Sequence, residues 1–249
     1  MKSAALYALI MVILVAAGCA QLTDERTPLP SELKTHPTAE QTAIPPTVSA
    51  RELDHSNDYI DVGITYPVIS GMRDRAAQSA INERVYKDLK GRAQAIETQA
   101  REDAKQSGLR VVYSMDAGFS MERNDGRVLS VQIDISTYEG GANMGTDSAF
   151  INVINAEEAF EPSFSELFVN GADYKSVIND KIRAQIASNP EGDMFDFTTV
   201  APNQWYYLTD TALVVVFPRY AITPGVYGEP EFVIAFDKIS DILITSVQE

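Results

Sequence analysis

The sequence predicts an α+β fold in which an antiparallel sheet of about seven strands has two main helices packed on it. Two long stretches carry apolar residues at helical spacing, and shorter stretches between them show the two-residue period or the continuous apolar runs of strands. Long strands joined by tight turns favour an antiparallel sheet with helices on one face. Of the 249 residues, 45% are hydrophobic and 9% aromatic, which favours one packed domain.

The start of the chain, residues 1–18, is predicted to be a lipoprotein signal peptide. A short positive segment precedes an apolar run over residues 4–17, too short to span a membrane comfortably. The run ends in small residues before Cys19, a pattern that resembles the lipobox of bacterial lipoproteins. Cys19, the only cysteine of the chain, is therefore the predicted lipid attachment site. Ala20 after it favours the outer membrane, facing the periplasm; an ordinary secretory signal is the alternative.

Residues 19–58, from the lipidated cysteine onward, are predicted to form a disordered tether. The segment holds no aromatic residue and is rich in Thr and Pro, so it cannot bury enough apolar area to offset its ordering entropy. Both histidines, His36 and His55, lie in it. The predicted domain over 59–249 therefore contains neither His nor Cys.

The first half of the domain is predicted to be a strand, a helix and a strand pair. Apolar and polar residues alternate over 59–66, up to Pro67. A helix is predicted over 72–107, bent or broken at Gly91 and ended by Gly108. Its apolar stripe is Ala77, Ile81, Val85 and Leu89. Strands are predicted over 109–122 and 127–138, around the turn signal Asn124-Asp125-Gly126.

The second half is predicted to hold a second helix among further strands. One strand is expected over 147–154 and the helix over 172–187, ended by Asn189-Pro190. Residues 213–217 are apolar on both faces, which predicts a central strand; the last two strands are expected at 232–236 and 242–244.

Several motifs together resemble the RsiV-like domain family. The turn Tyr138-Glu139-Gly140-Gly141-Ala142-Asn143-Met144-Gly145 is similar to the family's glycine turn, with Asn143 where the family usually has His. The motif 164–168, the apolar run 213–217 and the segments 220–224 and 228–232 follow in the family's order. The resemblance covers roughly 59–244. Such domains form the extracytoplasmic part of an anti-sigma factor and are also attached to a peptidoglycan deacetylase.

The resemblance implies an envelope-facing domain, which in one relative is a receptor for lysozyme. Its two loops, the glycine turn and the segment after the central strand, supply the candidate ligand-binding residues. These are Tyr138, Gly140, Gly141, Asn143, Gly145, Tyr220, Pro224, Tyr227 and Gly228. If the loops meet at one end of the sheet, their tyrosines would line one cleft, since Tyr offers flat apolar area and one hydroxyl. The alternative is that the glycines only permit a tight corner.

Charge and residue types exclude several classes of function. The net charge of −15 repels nucleic acid and favours cationic partners. With no His or Cys in the predicted domain, catalytic triads and zinc sites are excluded, and no cofactor is expected. Two acidic segments offer alternative sites, although a solvated loop is the favoured interpretation of each segment. The alternative sites are paired carboxylates among Glu157, Glu158, Glu161 and Glu166, and a calcium site at Asn189, Glu191, Asp193 and Asp196.

The sequence thus favours a membrane-anchored, non-catalytic binding or sensing domain. The predicted partner is peptidoglycan or a cationic envelope protein such as lysozyme. A carboxylate-dependent hydrolase of cell-wall glycans and a structural envelope lipoprotein are the alternatives. Trp205, Tyr206 and Tyr207 form another aromatic group, for which core packing is the favoured interpretation.

Overall fold

The computed structural model describes residues 44–248, which form a mixed α/β fold with two sheets. The elements, in chain order, are β1 (Thr47–Ser56), β2 (Ile60–Ser70), α1 (Arg75–Ser107), β3 (Tyr113–Asn124), β4 (Val128–Tyr138), β5 (Gly145–Ile154), α2 (Tyr174–Ser188), β6 (Trp205–Leu208), β7 (Ala212–Val216), β8 (Glu231–Ala235) and α3 (Thr245–Gln248). The predicted signal peptide, Cys19 and the first part of the predicted tether lie outside the described residues.

The predicted mixture of strands and helices is confirmed, and the prediction of one antiparallel sheet of about seven strands is confirmed only in part. Eight strands form a five-stranded sheet in the order β1-β2-β3-β4-β5 and a three-stranded sheet in the order β6-β7-β8. The pair β2–β3 is parallel, while the other neighbours are antiparallel. The parallel pair arises because the 33-residue helix α1 connects its two strands, and a helical crossover returns the chain to the same end of the sheet.

The prediction of a tether through residue 58 is wrong for residues 47–56. They form β1, which pairs along its whole length with β2, from Thr47 opposite Ser70 to Ser56 opposite Asp61. Most of the β1 side chains are exposed, so the strand is held by its backbone ladder rather than by apolar burial. His55 lies in this strand, so the prediction of a domain without histidine is also wrong.

The structure differs from two local predictions, which concern Pro67 and a break of the helix at Gly91. Pro67 lies inside β2 instead of ending it, because β3 pairs with β2 only as far as Ile64 and the remaining part of β2 has one free edge. Helix α1 runs unbroken past Gly91. The predicted end of α1 is confirmed, since Gly108 ends the helix in the left-handed conformation, whereas the helix begins at Arg75 instead of residue 72, with Asp74 capping its first turn.

One face of the five-stranded sheet packs against α1. The predicted stripe is confirmed, since Ile81, Val85 and Leu89 are buried against strand residues of the same core. On β4 the odd-numbered residues from Leu129 to Ile135 point into this core, and the even-numbered ones point away from it. The opposite face of the sheet is therefore the one that carries polar side chains.

A second core joins α2 to the three-stranded sheet. Ile178 and Ile182 of α2 are fully buried in the same cluster as Leu213 and Val215 of β7. Every residue of β7 is buried, which confirms the prediction of a central strand. The predicted last strand at 242–244 is wrong: Leu243 makes only an isolated bridge to Phe168 before α3 begins.

A buried polar relay ties the two sheets together. The Ser130 hydroxyl on β4 donates to the Asn152 Oδ1 atom on β5 (2.6 Å), and the Asn152 amide donates to the Tyr206 carbonyl of β6 (2.8 Å). The Leu208 N–H of β6 donates to the Ser130 hydroxyl (2.9 Å). These side chains thereby satisfy the outer backbone edge of β6, which has no strand partner on that side.

Replacement of Asn152 by alanine is expected to lower the free energy of unfolding by about 2 kcal/mol, because it leaves the buried Tyr206 carbonyl without its side-chain donor and the Ser130 hydroxyl without the acceptor for its proton. Urea unfolding followed by circular dichroism measures the change. Gln132→Ala on β4 is the matched control, since Gln132 bonds only to Asp134 near the surface. Equal effects of the two substitutions would show that the relay adds no stability.

No helix within residues 44–248 is long and apolar enough to cross a membrane.

Candidate ligand-binding site: an acidic groove and two joined loops

The polar face of the five-stranded sheet is covered at one end and open at the other. Near the relay, β6 covers it, and the Phe150 ring of β5 lies 5.9 Å from Trp205 and 6.2 Å from Tyr207. Beyond Tyr207 the face opens into a groove of about 510 Å³ between strands β3 to β5 and the segment 228–231. The open part of the sheet is therefore walled by the loop that leads into β8.

The groove is lined by five carboxylates, from Asp116, Asp134, Asp147, Glu229 and Glu231. Asp147 is paired with Arg92 of α1. Among the ion pairs between described residues, none involves the other four carboxylates. The groove therefore concentrates unneutralised negative charge on one surface.

Ser148 holds two of these carboxylates close together. Its hydroxyl donates to the Glu229 Oε2 atom at 2.6 Å and lies 3.4 Å from the Asp134 Oδ1 atom. The other Glu229 oxygen, Oε1, is buried without a hydrogen-bond partner. Burial, with the nearby carboxylates of Asp147 and Asp134, raises the pKa of Glu229 above its ordinary value.

Glu231 also lines the groove, and its pKa is raised as well. Its Oε2 atom accepts a hydrogen bond from the Tyr207 hydroxyl at 3.0 Å. Burial raises the pKa of Glu231, and the neighbouring carboxylates of Glu122 and Asp134 raise it further, against the Tyr207 bond. The groove therefore carries less negative charge in mild acid than at neutral pH.

The raised pKa values of Glu229 and Glu231 predict that the fold loses stability as pH rises above about 4.5, the ordinary value for glutamate. Above that pH the unfolded chain ionises freely while the folded groove resists ionisation, and the loss is complete once pH exceeds the folded pKa values. Carboxylates whose pKa is lowered by folding, such as Asp125, act in the opposite sense and only below this range.

Denaturant unfolding at pH 5 and at pH 8 tests this pH dependence. The double variant Glu229→Gln/Glu231→Gln is expected to lose less stability than the parent over this range, because glutamine does not ionise. Glu83→Gln on α1 is the control, since the pKa of Glu83 is lowered by its hydrogen bond to Lys87 and plays no part above pH 5. An unchanged pH profile in the double variant would contradict the assignment.

The glycine turn between β4 and β5 is exposed, and Gly140 is needed for its shape. Gly140 has a φ of +77°, and a Cβ atom there would lie 3.0 Å from the Tyr113 ring. Tyr113 is itself fixed by a 2.6 Å hydrogen bond from its hydroxyl to Asp103, and this bond raises the pKa of Tyr113 to about 12. This geometry favours the interpretation that Gly140 permits a tight corner in the chain.

Arg219 joins the glycine turn to the loop that follows β7. Its guanidinium donates to the Met144 carbonyl at 2.8 Å and to the Gly225 carbonyl at 2.9 Å, and it lies 5.1 Å from the Tyr220 ring centre. Tyr220 has a φ of +70°, an uncommon conformation for a residue with a side chain. Its ring packs onto Gly225, where an added Cβ would lie 2.1 Å from a ring carbon.

The joined loops expose apolar side chains beside the groove. Tyr220 is 67% exposed, Val226 86% and Met144 49%. The same loop continues through Gly228, which lines the groove and has a φ of +66°. We name Met144, Tyr220 and Val226 the loop tip. The two loops are thus in contact, as expected if they lie at one end of the sheet. Arg219 makes this contact, although the sequence predicted no role for it.

The candidate residues do not all share one cleft. Asn143 and Gly141 lie exposed in the glycine turn, Gly145 begins β5, and Pro224 precedes the turn that contains Gly225. Tyr138 pairs with Ser114 at the end of β4. Tyr227 contacts Phe195 instead, with ring centres 6.1 Å apart, and its pKa is raised by burial and by the Glu191 carboxylate.

Two of the carboxylates considered in the sequence, Glu161 and Glu166, have structural partners. Glu161 forms two contacts with Arg84, and Glu166 accepts from the Ser163 backbone and hydroxyl at the start of a short 3-10 helix. His55 contacts Asn57 and Glu97. In the part of the chain that the structure describes, no group of three His, Cys, Asp or Glu side chains is arranged to hold a metal ion.

Two family models match consecutive parts of the chain. Residues 53–146 match the model described as Deacetylase PdaC, and residues 165–237 match the model described as Protein of unknown function (DUF3298). The chain is also similar to the anti-sigma-V factor RsiV of Bacillus subtilis (strain 168). The two are 24% identical over 204 residues, which cover 78% of this chain and 69% of that protein.

Two crystal structures of DUF3298 family members show the same fold. The one from Bacteroides fragilis has a TM-score of 0.59 and 17% identity, and covers 81% of this chain and 94% of its own. The one from Pseudomonas aeruginosa has a TM-score of 0.59 and 15% identity, and covers 83% of this chain and 98% of its own. At such identities the likeness concerns the fold alone.

The fold and the open groove define a mixed α/β domain suited to binding. The two family models and the similarity to RsiV show that the chain resembles the RsiV-like domain family over most of its length. This confirms the resemblance drawn from the glycine turn and the motifs that follow it. RsiV is named as an anti-sigma factor.

Proposed function

We propose that the protein is an envelope-anchored binding or sensing module that takes a cationic envelope protein, such as lysozyme, on its acidic groove and loop tip. The acidic groove is the observation that most strongly supports this proposal. Asp116 and Asp134 point from adjacent strands into solvent with no ion pair to a described residue, next to the exposed apolar side chains of the loop tip. Apolar anchors beside complementary charge are typical of protein interfaces.

The overall charge supports a cationic partner. At −15, the chain attracts a basic protein from a distance and accelerates its association, and the groove gives that attraction a direction. Peptidoglycan, the other predicted ligand, is disfavoured at this groove because the carboxylates of its peptide stems would meet unneutralised carboxylates of the protein.

The location of the module is part of the proposal. We infer that residues 1–18 are removed, that Cys19 carries lipid, and that the chain is held at the outer membrane facing the periplasm. The segment between Cys19 and β1 would then separate the domain from the membrane surface. Labelling with a radioactive fatty acid in cells tests this, since Cys19→Ser is expected to abolish the label.

Calorimetric titration of lysozyme into the chain from Ala20 onward, at low salt, tests the binding. We expect saturable binding, and Tyr220→Ala is expected to weaken it about tenfold, because truncating an interface anchor costs roughly 1–2 kcal/mol. Leu109→Ala is the matched control, since Leu109 is 71% exposed but lies in the loop between α1 and β3. No binding at micromolar concentrations, or equal effects of the two variants, would contradict the proposal.

A second candidate function is carboxylate-dependent hydrolysis of cell-wall glycans. Ser148 brings Asp134 and Glu229 within roughly 6 Å of each other, a separation compatible with a pair of glycosidase carboxylates, and the raised pKa of Glu229 suits a proton donor. Release of new reducing ends from purified peptidoglycan tests this candidate, and loss of that release in Asp134→Asn would support it. Without such release in the parent chain, the groove serves binding alone.

A further inference from the structure

We propose that a second cleft, adjacent to the acidic groove, binds uncharged sugar rings of a glycan. This cleft of about 360 Å³ lies where the β5 edge meets β6 and the segments 161–164 and 203–204. Among the described residues, Ser148 is the only one that lines both this cleft and the acidic groove. The proposal adds a ligand class and a site to the function proposed above and does not depend on it.

Two aromatic rings form one wall of this sugar cleft. Trp205 and Phe150 both line it, with ring centres 5.9 Å apart, and neither side chain is fully buried. Residues alternate along β6, so that Tyr206 and Leu208 enter the second core while Trp205 and Tyr207 face Phe150. A sugar ring presents an apolar C–H face that such flat, partly exposed rings can cover.

Two polar groups at the cleft have no partner within the described part of the protein. These are the Trp205 indole N–H and the Asn203 side-chain amide. The other amides there are already engaged, since Asn152 donates to the Tyr206 carbonyl and Gln204 donates to the Val216 carbonyl. The free indole donates one hydrogen bond, and the free amide both donates and accepts. Sugar hydroxyl and acetamido groups, which also donate and accept, match this set.

The charges at the rim of the cleft are paired, which distinguishes it from the groove. Arg92 is bound by Asp88 and Asp147, and Glu161 is bound by Arg84. A charged ligand would have to compete with these ion pairs, whereas an uncharged one would not. The alternative occupant is an extended peptide that adds to the free edge of β5.

Titration with triacetylchitotriose, an uncharged N-acetylglucosamine trimer, tests the proposal. Trp205 is the only tryptophan of the chain, so tryptophan emission, excited at wavelengths that tyrosine does not absorb, reports on this cleft alone. We expect a saturable change in Trp205 emission. Asn203→Ala is expected to weaken binding about fivefold through loss of hydrogen bonds. Trp205→Ala is expected to abolish the calorimetric signal, and 0.5 M salt should change the affinity by less than about twofold.

Tyr220→Ala separates this proposal from the lysozyme proposal, because it should weaken lysozyme binding and leave sugar binding unchanged. Circular dichroism of Asn203→Ala and Trp205→Ala verifies that both variants fold. No saturable change up to about 10 mM sugar would overturn the sugar cleft and leave the lysozyme proposal standing. Binding of an uncharged peptide but not of the sugar would also overturn it, in favour of pairing with β5.

Discussion

Replacement of Phe164 by alanine is expected to lower the free energy of unfolding by about 3–5 kcal/mol, which is among the largest effects a single truncation can have here. The Phe164 side chain is fully buried. Its ring contacts those of Phe168, Tyr174 and Tyr206, at centre distances of 5.4, 6.1 and 5.8 Å. It thus joins the segment before α2, α2 itself and β6, so a cavity there has walls on three sides that cannot all collapse into it.

Urea unfolding measures the effect, with two comparison variants. Phe164→Leu retains most of the apolar volume and is expected to cost clearly less than the alanine variant. Val226→Ala, at an 86% exposed position, is expected to change stability by less than about 0.5 kcal/mol. A loss below about 1.5 kcal/mol in Phe164→Ala would show that the second core closes over the missing ring.

Reversal of two groove charges, Asp116→Lys with Asp134→Lys, is expected to weaken lysozyme binding about a hundredfold. Both side chains are exposed, so the fold tolerates the change, and each substitution converts attraction of a cationic partner into repulsion. The affinity of the parent chain should fall steeply with added salt, and that of the double variant much less.

The matched control changes the same net charge elsewhere. Asp180→Lys with Asp237→Lys alters two exposed carboxylates, on α2 and after β8, neither of which lines the groove. Its effect should stay within about threefold, as expected from net charge alone. Equal weakening by the two pairs would show that overall charge, and not the groove, attracts the partner.

Periodicity predicted the elements that bury a strong apolar pattern. The helix predicted over 72–107 is α1, and the one over 172–187 is α2, because each carries one stripe that packs on a sheet. β1 was missed since its exposed, mostly polar residues leave no such pattern, and its place comes from backbone pairing with β2. The division into two sheets was also not predicted, because local periodicity does not show which distant strands pair with each other.

The candidate site was predicted only in part, because local sequence patterns do not show which distant residues meet. The two loops were found through their glycines, and the alternation of Ile133, Asp134 and Ile135 in the sequence agrees with the polar face of β4. The groove itself was not, because Glu229 and Asp134 are far apart in the sequence and meet only through Ser148. The sequence feature that corresponds to the groove is the recurrence of acidic residues, Asp116 and Asp134, on the polar face of neighbouring strands.

Amide hydrogen exchange with and without lysozyme tests the central claim most directly, because it locates the contact surface without any substitution. Bound lysozyme is expected to slow exchange in residues 132–148 and 219–231, which carry the groove and the loop tip. Exchange in β1 and on the outer surface of α1 should not change. Protection confined to β1 or α1, or no protection at saturating lysozyme, would contradict the assignment of the acidic groove as the binding surface.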